Sequence, residues 1–366
     1  MNDVIQLSEL GEIITGNTPS TSDNANYESD DILFVKPSDI SNDRISYIEN
    51  TENYISNYAK GKARVVSSDT VFCTCIGIIG KVGIATKESA FNQQINAIIP
   101  DKEKVTSYYL AYALMAKRNY MQAKANAAVV PIINKTQFAE LKIKYVSLEE
   151  QRRITDKFQL IDSLIAKREK QIETIEYLVK SRFVEMFGDP IVNSKGLPTE
   201  AIGDVCLLKA GVTTSAQDIH EQSDDEHNIP CYGGNGVRGY VRTATYQGDY
   251  AIIGRQGALC GNVQFAHGNF HATEHAVLVT PKIPFNLTWL YITLREMNLN
   301  RFHTGAAQPG LAVKTLNRVR IMMPDIELQN RFAELVVQAD KSKLAIQKNI
   351  ETLQKLKSKL MQDYFG

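Results

Sequence analysis

Two halves of this 366-residue chain repeat one another, and a repeat that fills a chain restricts it to architectures that can be built twice. Near the start, Leu7-Ser8-Glu9-Leu10 leads to Ile13 and Gly16; further on, Ile202-Gly203-Asp204-Val205 leads to Leu208 and Gly211, a shift of 195. Phe91 and Ala97 match Phe270 and Ala276 at a shift of 179, as Ala127-Ala128 and Lys135-Thr136 match Ala306-Ala307 and Lys314-Thr315. Gln151, Arg153, Asp162, Phe187 and Gly188 match Gln329, Arg331, Asp340, Phe365 and Gly366 at 178. The shrinking shift means that the first copy carries a longer early loop.

Each copy ends in a long helix. Ile154, Phe158, Ile161, Ile165, Arg168, Ile172, Ile175, Val179, Arg182 and Met186 step by fours and threes, and Phe332, Val336, Ala339, Lys343, Ile346, Ile350, Leu353, Lys357, Leu360 and Tyr364 repeat those steps. A 4-3 alternation held over several heptads is the seam of a coiled coil. Each helix stops at a glycine, Gly188 or Gly366, the usual residue just past a helix end. The alternative for such a stripe is a helix packed on its own domain; two matched helices of equal length favour pairing with each other.

The segments before the helices read as α+β. Ile32–Val35, Val71–Thr74, Ile95–Ile99, Ala251–Ile253 and Ala276–Val279 are short, β-rich runs bounded by Gly, Pro, Asn or Asp, the mark of strands. Helices are expected at Ser107–Lys117 and Leu287–Met297. The expected layout is a globular domain over 1–147, a long helix over 148–187, a second domain over 188–325 and a second long helix over 326–366.

Charge separates along each copy. The chain totals 41 basic and 41 acidic side chains, which argues against a general coat of positive charge. Yet residues 1–59 hold 11 acidic and 2 basic side chains, and 60–147 hold 5 and 13; residues 188–229 hold 8 and 2, and 230–325 hold 4 and 9. A basic segment within a neutral domain can face phosphates, or the two segments can pair with each other.

Other classes fall away. No run approaches 18 apolar residues, and the N-terminus has no signal-peptide pattern. Five cysteines without C-x-x-C spacing indicate neither a zinc ribbon nor a disulfide framework, so a reduced, cytosolic protein is expected. Gly234-Asn235-Gly236-Val237-Arg238-Gly239 has dinucleotide-loop spacing, but a β-rich run follows it where a helix is required, so it reads as a tight turn. His271 and His275 in H-x-x-E-H spacing would need a helix to share a zinc ion; here they run into a strand. Glu140-Leu141-Lys142 has the form of half a nuclease motif with Asp101 as its other carboxylate, but the second copy has Val319 in place of Glu140 and no such triplet. The chain reads as non-catalytic.

In this order, twice, the remaining motifs carry a resemblance over the whole chain. Gly16-Asn17-Thr18-Pro19-Ser20, Ile32 to Ile40, Ile76-Gly77-Ile78-Ile79-Gly80-Lys81-Val82-Gly83 and Phe91-Asn92-Gln93 mark copy one. Ile229 to Gly236, Gly254-Arg255-Gln256-Gly257 onward to Val263, and Thr273-Glu274-His275-Ala276 mark copy two. Leu148-Glu149-Glu150-Gln151 and Ile326-Glu327-Leu328-Gln329 open the helices. The chain resembles specificity subunits of type I restriction–modification systems. Copy two departs from the pattern with Val212-Thr213-Thr214 where copy one has Thr18-Pro19-Ser20.

The resemblance implies two target-recognition domains alternating with two long helices that pair as an antiparallel coiled coil, each domain reading half of a bipartite, asymmetric site in double-stranded DNA. It implies two methyltransferase subunits and motor-nuclease subunits as partners; these would use S-adenosylmethionine, ATP and Mg²⁺, with no cofactor on this chain. Base edges are read by Asn, Gln, Arg and Lys, so the candidate DNA contacts are Asn17, Ser20, Lys36, Ser38, Lys81, Asn92, Gln93 and Lys135 in copy one. In copy two they are Tyr232, Asn235, Arg238, Arg255, Gln256, Asn262, His275 and Lys314. A coiled-coil scaffold with two protein-binding domains is the alternative, and a zinc peptidase using His271 and His275 the third.

Overall fold

The computed structural model describes residues 4–125, 131–257, 259–304 and 309–366. The repeated pair Ala127-Ala128 and Ala306-Ala307 lies outside them. The chain forms two compact units, Met1–Glu169 with Lys348–Gly366, and Lys170–Gln347. Each unit holds a sheet-rich domain, part of one long helix, and the opposite part of the other.

In the first unit a five-stranded sheet runs in the order Gly11–Thr15, Ile95–Pro100, Val71–Thr74, Val82–Ala85, Ser46–Ile48. A second sheet runs Tyr54–Ile55, Ile32–Val35, Ser89–Phe91, Val65–Val66. The second unit repeats this with Cys206–Ala210, Ala276–Pro281, Tyr250–Gly254, Val263–Ala266, and with Gly236–Val241, Ile229–Gly233, Asn269–Ala272, Tyr246–Gln247. Ile32–Val35 and Val71–Thr74 are buried at every residue, which is why they read as unbroken apolar runs rather than as alternating ones. In the second sheet of each unit one pairing is parallel, that of Ile32–Val35 with Ser89–Phe91 and that of Ile229–Gly233 with Asn269–Ala272. The first sheet of the first unit alone carries an added edge strand, Ser46–Ile48, supplied by the longer early loop.

The helices occur at Ser107–Ala116 and Leu287–Glu296, close to the expected places. Thr106 caps one through Tyr109 N, and Asn286 caps the other through Thr288 N and Trp289 N. The matched glutamines explain themselves here. Gln151 and Gln329 are buried, and their Oε1 atoms accept from Thr106 N at 2.9 Å and Asn286 N at 3.0 Å. Their Nε2 groups donate to Val146 O and Pro324 O. One buried amide thereby ties each long helix to the cap of the domain helix.

The long helices span Leu148–Phe187 and Ile326–Phe365. In the first unit the start of one meets the end of the other. Phe158 stacks on Tyr112 at 4.8 Å and lies 5.9 Å from Phe365, which packs on Tyr109 at 5.1 Å. In the second unit Phe332 lies 5.5 Å from both Phe183 and Phe187, and Phe187 reaches Trp289 at 5.8 Å. Within each unit the two helices are therefore antiparallel.

Polar seam positions are paired. Lys357 bonds Asp162 at 2.5 Å, and Asp162 also accepts from the Tyr112 hydroxyl at 2.8 Å. Arg168 Nε donates to Asn349 Oδ1 at 3.2 Å, and Lys343 lies 3.9 Å from Glu176 on the other helix. Such polar seam residues set register. One expected seam residue is displaced: Arg182 is exposed and pairs with Glu185, while Phe183 is fully buried. Near its end the helix packs on the domain as well as on its partner, and an i, i+4 face of Phe183 and Phe187 replaces the narrow seam.

Among the described residues no helix is long and apolar enough to cross a membrane. All five cysteines are free and buried, and burial pushes the Cys206 and Cys231 thiols up to about 11.

Replacing Phe183 with Ala should cost about 3–5 kcal/mol, whereas Arg182→Ala should stay within about 0.5 kcal/mol. Chemical denaturation of both variants beside the parent checks the exchange of roles; equal losses would contradict it.

Candidate nucleic-acid interface

Four segments meet at one end of each domain, and their backbone bonds recur. Asn17 N donates to Phe91 O and Gly16 N to Ile95 O; Val212 N donates to Ala272 O and Gly211 N to Ala276 O. Cys75 N donates to Gln94 O, as Arg255 N does to His275 O; Thr74 N donates to Lys81 O, as Gly254 N does to Asn262 O. The glycine-rich turns match as well. Gly80 and Gly261 both sit at positive φ, +84° and +86°, where a side chain would be strained. In the second unit a Cβ on Gly254 would lie 1.7 Å from Gly234 O, so two backbones touch at the base of the interface.

These bonds correct the repeat. Phe91 is equivalent to Ala272 and not to Phe270, and Ala97 to Leu278 and not to Ala276, a shift of 181. Aromatic identity alone places the match two residues off. A slip of two keeps side chains on the same face of a strand, so the pattern alone does not reveal it.

In the first unit the candidate residues divide by what their polar atoms do. Asn17 donates to Lys62 O at 2.7 Å and accepts from Arg64 N at 2.6 Å, so both ends of its amide hold a neighbouring segment. Asn92 is buried and closes its own turn against Gln94. Lys81 Nζ donates to Pro37 O at 2.8 Å, tethering the loop that carries Lys36 and Ser38. Lys36 is half-buried with its ammonium 5.7 Å from the Phe34 ring centre; Ser38 is exposed. Ser20 is exposed and bonded to Ser22. Gln93 is exposed, its Oε1 accepting from Thr18 at 2.7 Å. Lys135 opens an exposed helical turn capped by Asn134.

In the second unit Asn262 donates to Asn235 at 2.6 Å, the counterpart of the Lys81 tether. Gly234-Asn235 turn a hairpin between Ile229–Gly233 and Gly236–Val241, so the glycine motif is a β-turn followed by a strand. Tyr232 packs edge-on against Phe270 at 5.6 Å, a core role. Arg238 is exposed, with no side-chain bond or ion pair among the described residues. Gln256 and Lys314 are exposed. Arg255 is half-buried, and its Nε has no partner. His275 pairs with Glu274 at 3.2 Å, while its Nδ1 is buried and unpartnered.

The zinc reading does not survive this geometry. His271 is held between Thr214 at 2.7 Å and Thr245 at 3.1 Å, and His275 lies in the following turn, bonded to Glu274; the two share no ligand cluster among the described residues. A different trio, His220, Asp224 and His227, brings its ligand atoms within 4.8 Å. Arg242 Nε donates to His227 Nε2 at 2.9 Å, which puts the imidazole proton on Nδ1, facing Asp224 at 3.0 Å. His220 stacks on His227 at 3.6 Å. The trio is a hydrogen-bonded latch on an acidic loop, and the backbone and imidazole of His227 hold the Asp224 carboxyl down at about 2. Among the described residues, Lys62–Asp23 and Arg242–Glu226 are ion pairs that join the acidic and basic segments.

An internally duplicated unit, presenting matched polar loops and packed on antiparallel helices, defines a class of duplicated α+β proteins with two long paired helices. The type I restriction modification DNA specificity domain matches residues 2–177 and 196–357, and the chain belongs to that family, the non-catalytic specificity components of type I restriction–modification complexes. It is 27% identical over 354 residues to the EcoprrI specificity subunit of Escherichia coli, covering 92% of this chain and 87% of that one. To the MjaIX specificity subunit of Methanocaldococcus jannaschii it is 29% identical over 237 residues, covering 60% and 54%. The crystal structure of the type I S subunit from M. genitalium superposes with a TM-score of 0.61 at 15% identity, over 100% of this chain and 96% of that one. A likeness at that identity is one of fold.

Burial lowers the His271 pKa below its ordinary 6.5. The unfolded chain then takes up the proton first, so stability should fall as pH drops below about 6.5. His271→Asn should flatten part of that loss; thermal melts at pH 7.5 and 5.0 check it, and an unchanged pH dependence would contradict it.

Proposed function

We propose that each domain reads one half of a bipartite, asymmetric target in double-stranded DNA. The observation that carries this is the recurrence, at equivalent positions of both units, of the same four polar loops on the same buried scaffold. Direct readout needs side-chain donors and acceptors at base edges. Gln93, Gln256, Arg238 and Arg255 have the freedom for it, with Ser20, Ser38, Asn235 and His275 beside them. Phosphate contacts fix register without carrying sequence, a role for Lys36, Lys135 and Lys314. Asn17, Asn92, Lys81, Asn262 and Tyr232 act behind them by holding loop shape.

In this reading the recognition domains are residues 1–147 and 188–325, and the helices over 148–187 and 326–366 set the spacer between half-sites. The helices also dock two methyltransferase subunits, with motor-nuclease subunits completing the complex in the cytoplasm. Exposed apolar side chains such as Leu160, Tyr177, Leu178 and Leu344 give the helices surface for that docking. S-adenosylmethionine, ATP and Mg²⁺ belong to those other subunits.

The test is specific DNA binding by the chain with its methyltransferase partner as salt rises. Neutralising about six phosphates should cost on the order of a thousandfold in affinity between 50 and 200 mM salt, and Arg255→Ala should relax recognition in one half-site alone. A flat salt response would favour a protein scaffold instead.

A further inference from the structure

The corrected equivalence brings together two residues that the sequence match kept apart. Asn92 N donates to Val35 O and Thr273 N to Tyr232 O; Ile95 N donates to Asn92 O and Ala276 N to Thr273 O. Asn92, Gln93 and Gln94 are therefore the counterparts of Thr273, Glu274 and His275. Gln93 and Glu274 occupy the same position of the same turn. Each is also held by the loop that follows the first sheet strand: Gln93 by the Thr18 hydroxyl at 2.7 Å, Glu274 by Thr214 N at 3.3 Å.

The two turns differ in what they leave unpaired. In the first unit Asn92 and Gln94 bond each other through side chain and backbone. In the second, Thr273 is fully buried and its Oγ1 has no partner, nor has His275 Nδ1, nor Arg255 Nε beside them. Buried polar atoms are seldom left without partners; Thr273 is sealed within the protein, whereas His275 and Arg255 are half-buried and have spare donors for a polar ligand.

We infer that Gln93 and Glu274 are the equivalent specificity-determining residues of the two domains, Gln93 reading an adenine and Glu274 a cytosine. This rests on the DNA-reading function proposed above. A glutamine amide offers a donor and an acceptor, which match N7 and N6 of adenine in the major groove; a carboxylate only accepts, which suits the N4 amino group of cytosine and is repelled by N7 of a purine. Arg255, whose backbone is bonded to the same turn, supplies donors for the guanine of that pair. Thr18 and Thr214 are positioning residues.

The experiment is selection from a duplex library randomised in both half-sites, using the chain assembled with its methyltransferase subunit. Glu274→Gln, nearly isosteric, should move the preference at one position of one half-site from cytosine to adenine by about tenfold or more, leaving the other half-site unchanged. Gln93→Glu should produce the reciprocal change in the other half. If both variants select the parent motif, the inference is overturned while the DNA-reading function stands. If the parent complex selects no sequence, both fall together.

Discussion

Each unit depends on one aromatic core in which a helix that is ending meets a helix that is beginning. Phe365 and Phe158 meet over Tyr109 and Tyr112 in the first; Phe187 and Phe332 meet beside Trp289 in the second. Phe187 and Phe365 are the same residue of the repeat, each followed by a glycine. A parallel arrangement would bring two ends together and leave Phe158 and Phe332 without those partners. The domain helix belongs to this core too, so pairing of the long helices and orientation of the recognition domain are one packing problem. The buried glutamines, Gln151 and Gln329, pin the same junction with directional bonds that apolar packing lacks.

Much of this is legible in the sequence. The long helices are marked by their sustained 4-3 spacing, and Gln151 with Gln329 stand out as repeated. What was hidden has physical causes. Arg182 kept the 4-3 spacing, but near the domain a broader face takes over, and only packing tells Phe183 from its neighbour. The two-residue slip at Phe91 and Phe270 preserved strand face and aromatic character, and only backbone bonding exposes it. Asn17 and Asn92 have the chemistry of base readers, yet their amides are satisfied within the loops; residue type does not say where a side chain's bonds are already made. Glu274 is hidden for the converse reason, since an acid does not stand out as a base reader until its position is equated with that of Gln93.

The polar loops separate into groups that hold their shape and groups left exposed. Latches such as Asn17, Asn92, Lys81 and Asn262, together with the positive-φ glycines, fix the loops by bonds internal to the protein. Exposed groups such as Gln93, Arg238 and Gln256 ride on them. This division lets side chains at the tips change without disturbing the fold, and it fits a family in which the scaffold is shared while sequence identity is low. The second domain adds its own latch, the His220, Asp224 and His227 trio with Arg242, where the first uses Asn17 and the 62–64 segment.

The central claim is that duplicated readers are spaced by paired helices, and mapping methylated bases in DNA tests it most directly. The chain and a variant with seven residues inserted in phase into both long helices would each be expressed with the methyltransferase subunit. Seven helical residues span about 10.5 Å, or about three base pairs of B-DNA. The account predicts a bipartite motif whose two halves are unchanged in the variant and whose spacer grows by about that amount. A contiguous motif, or a spacer that stays the same after insertion in both helices, would contradict it.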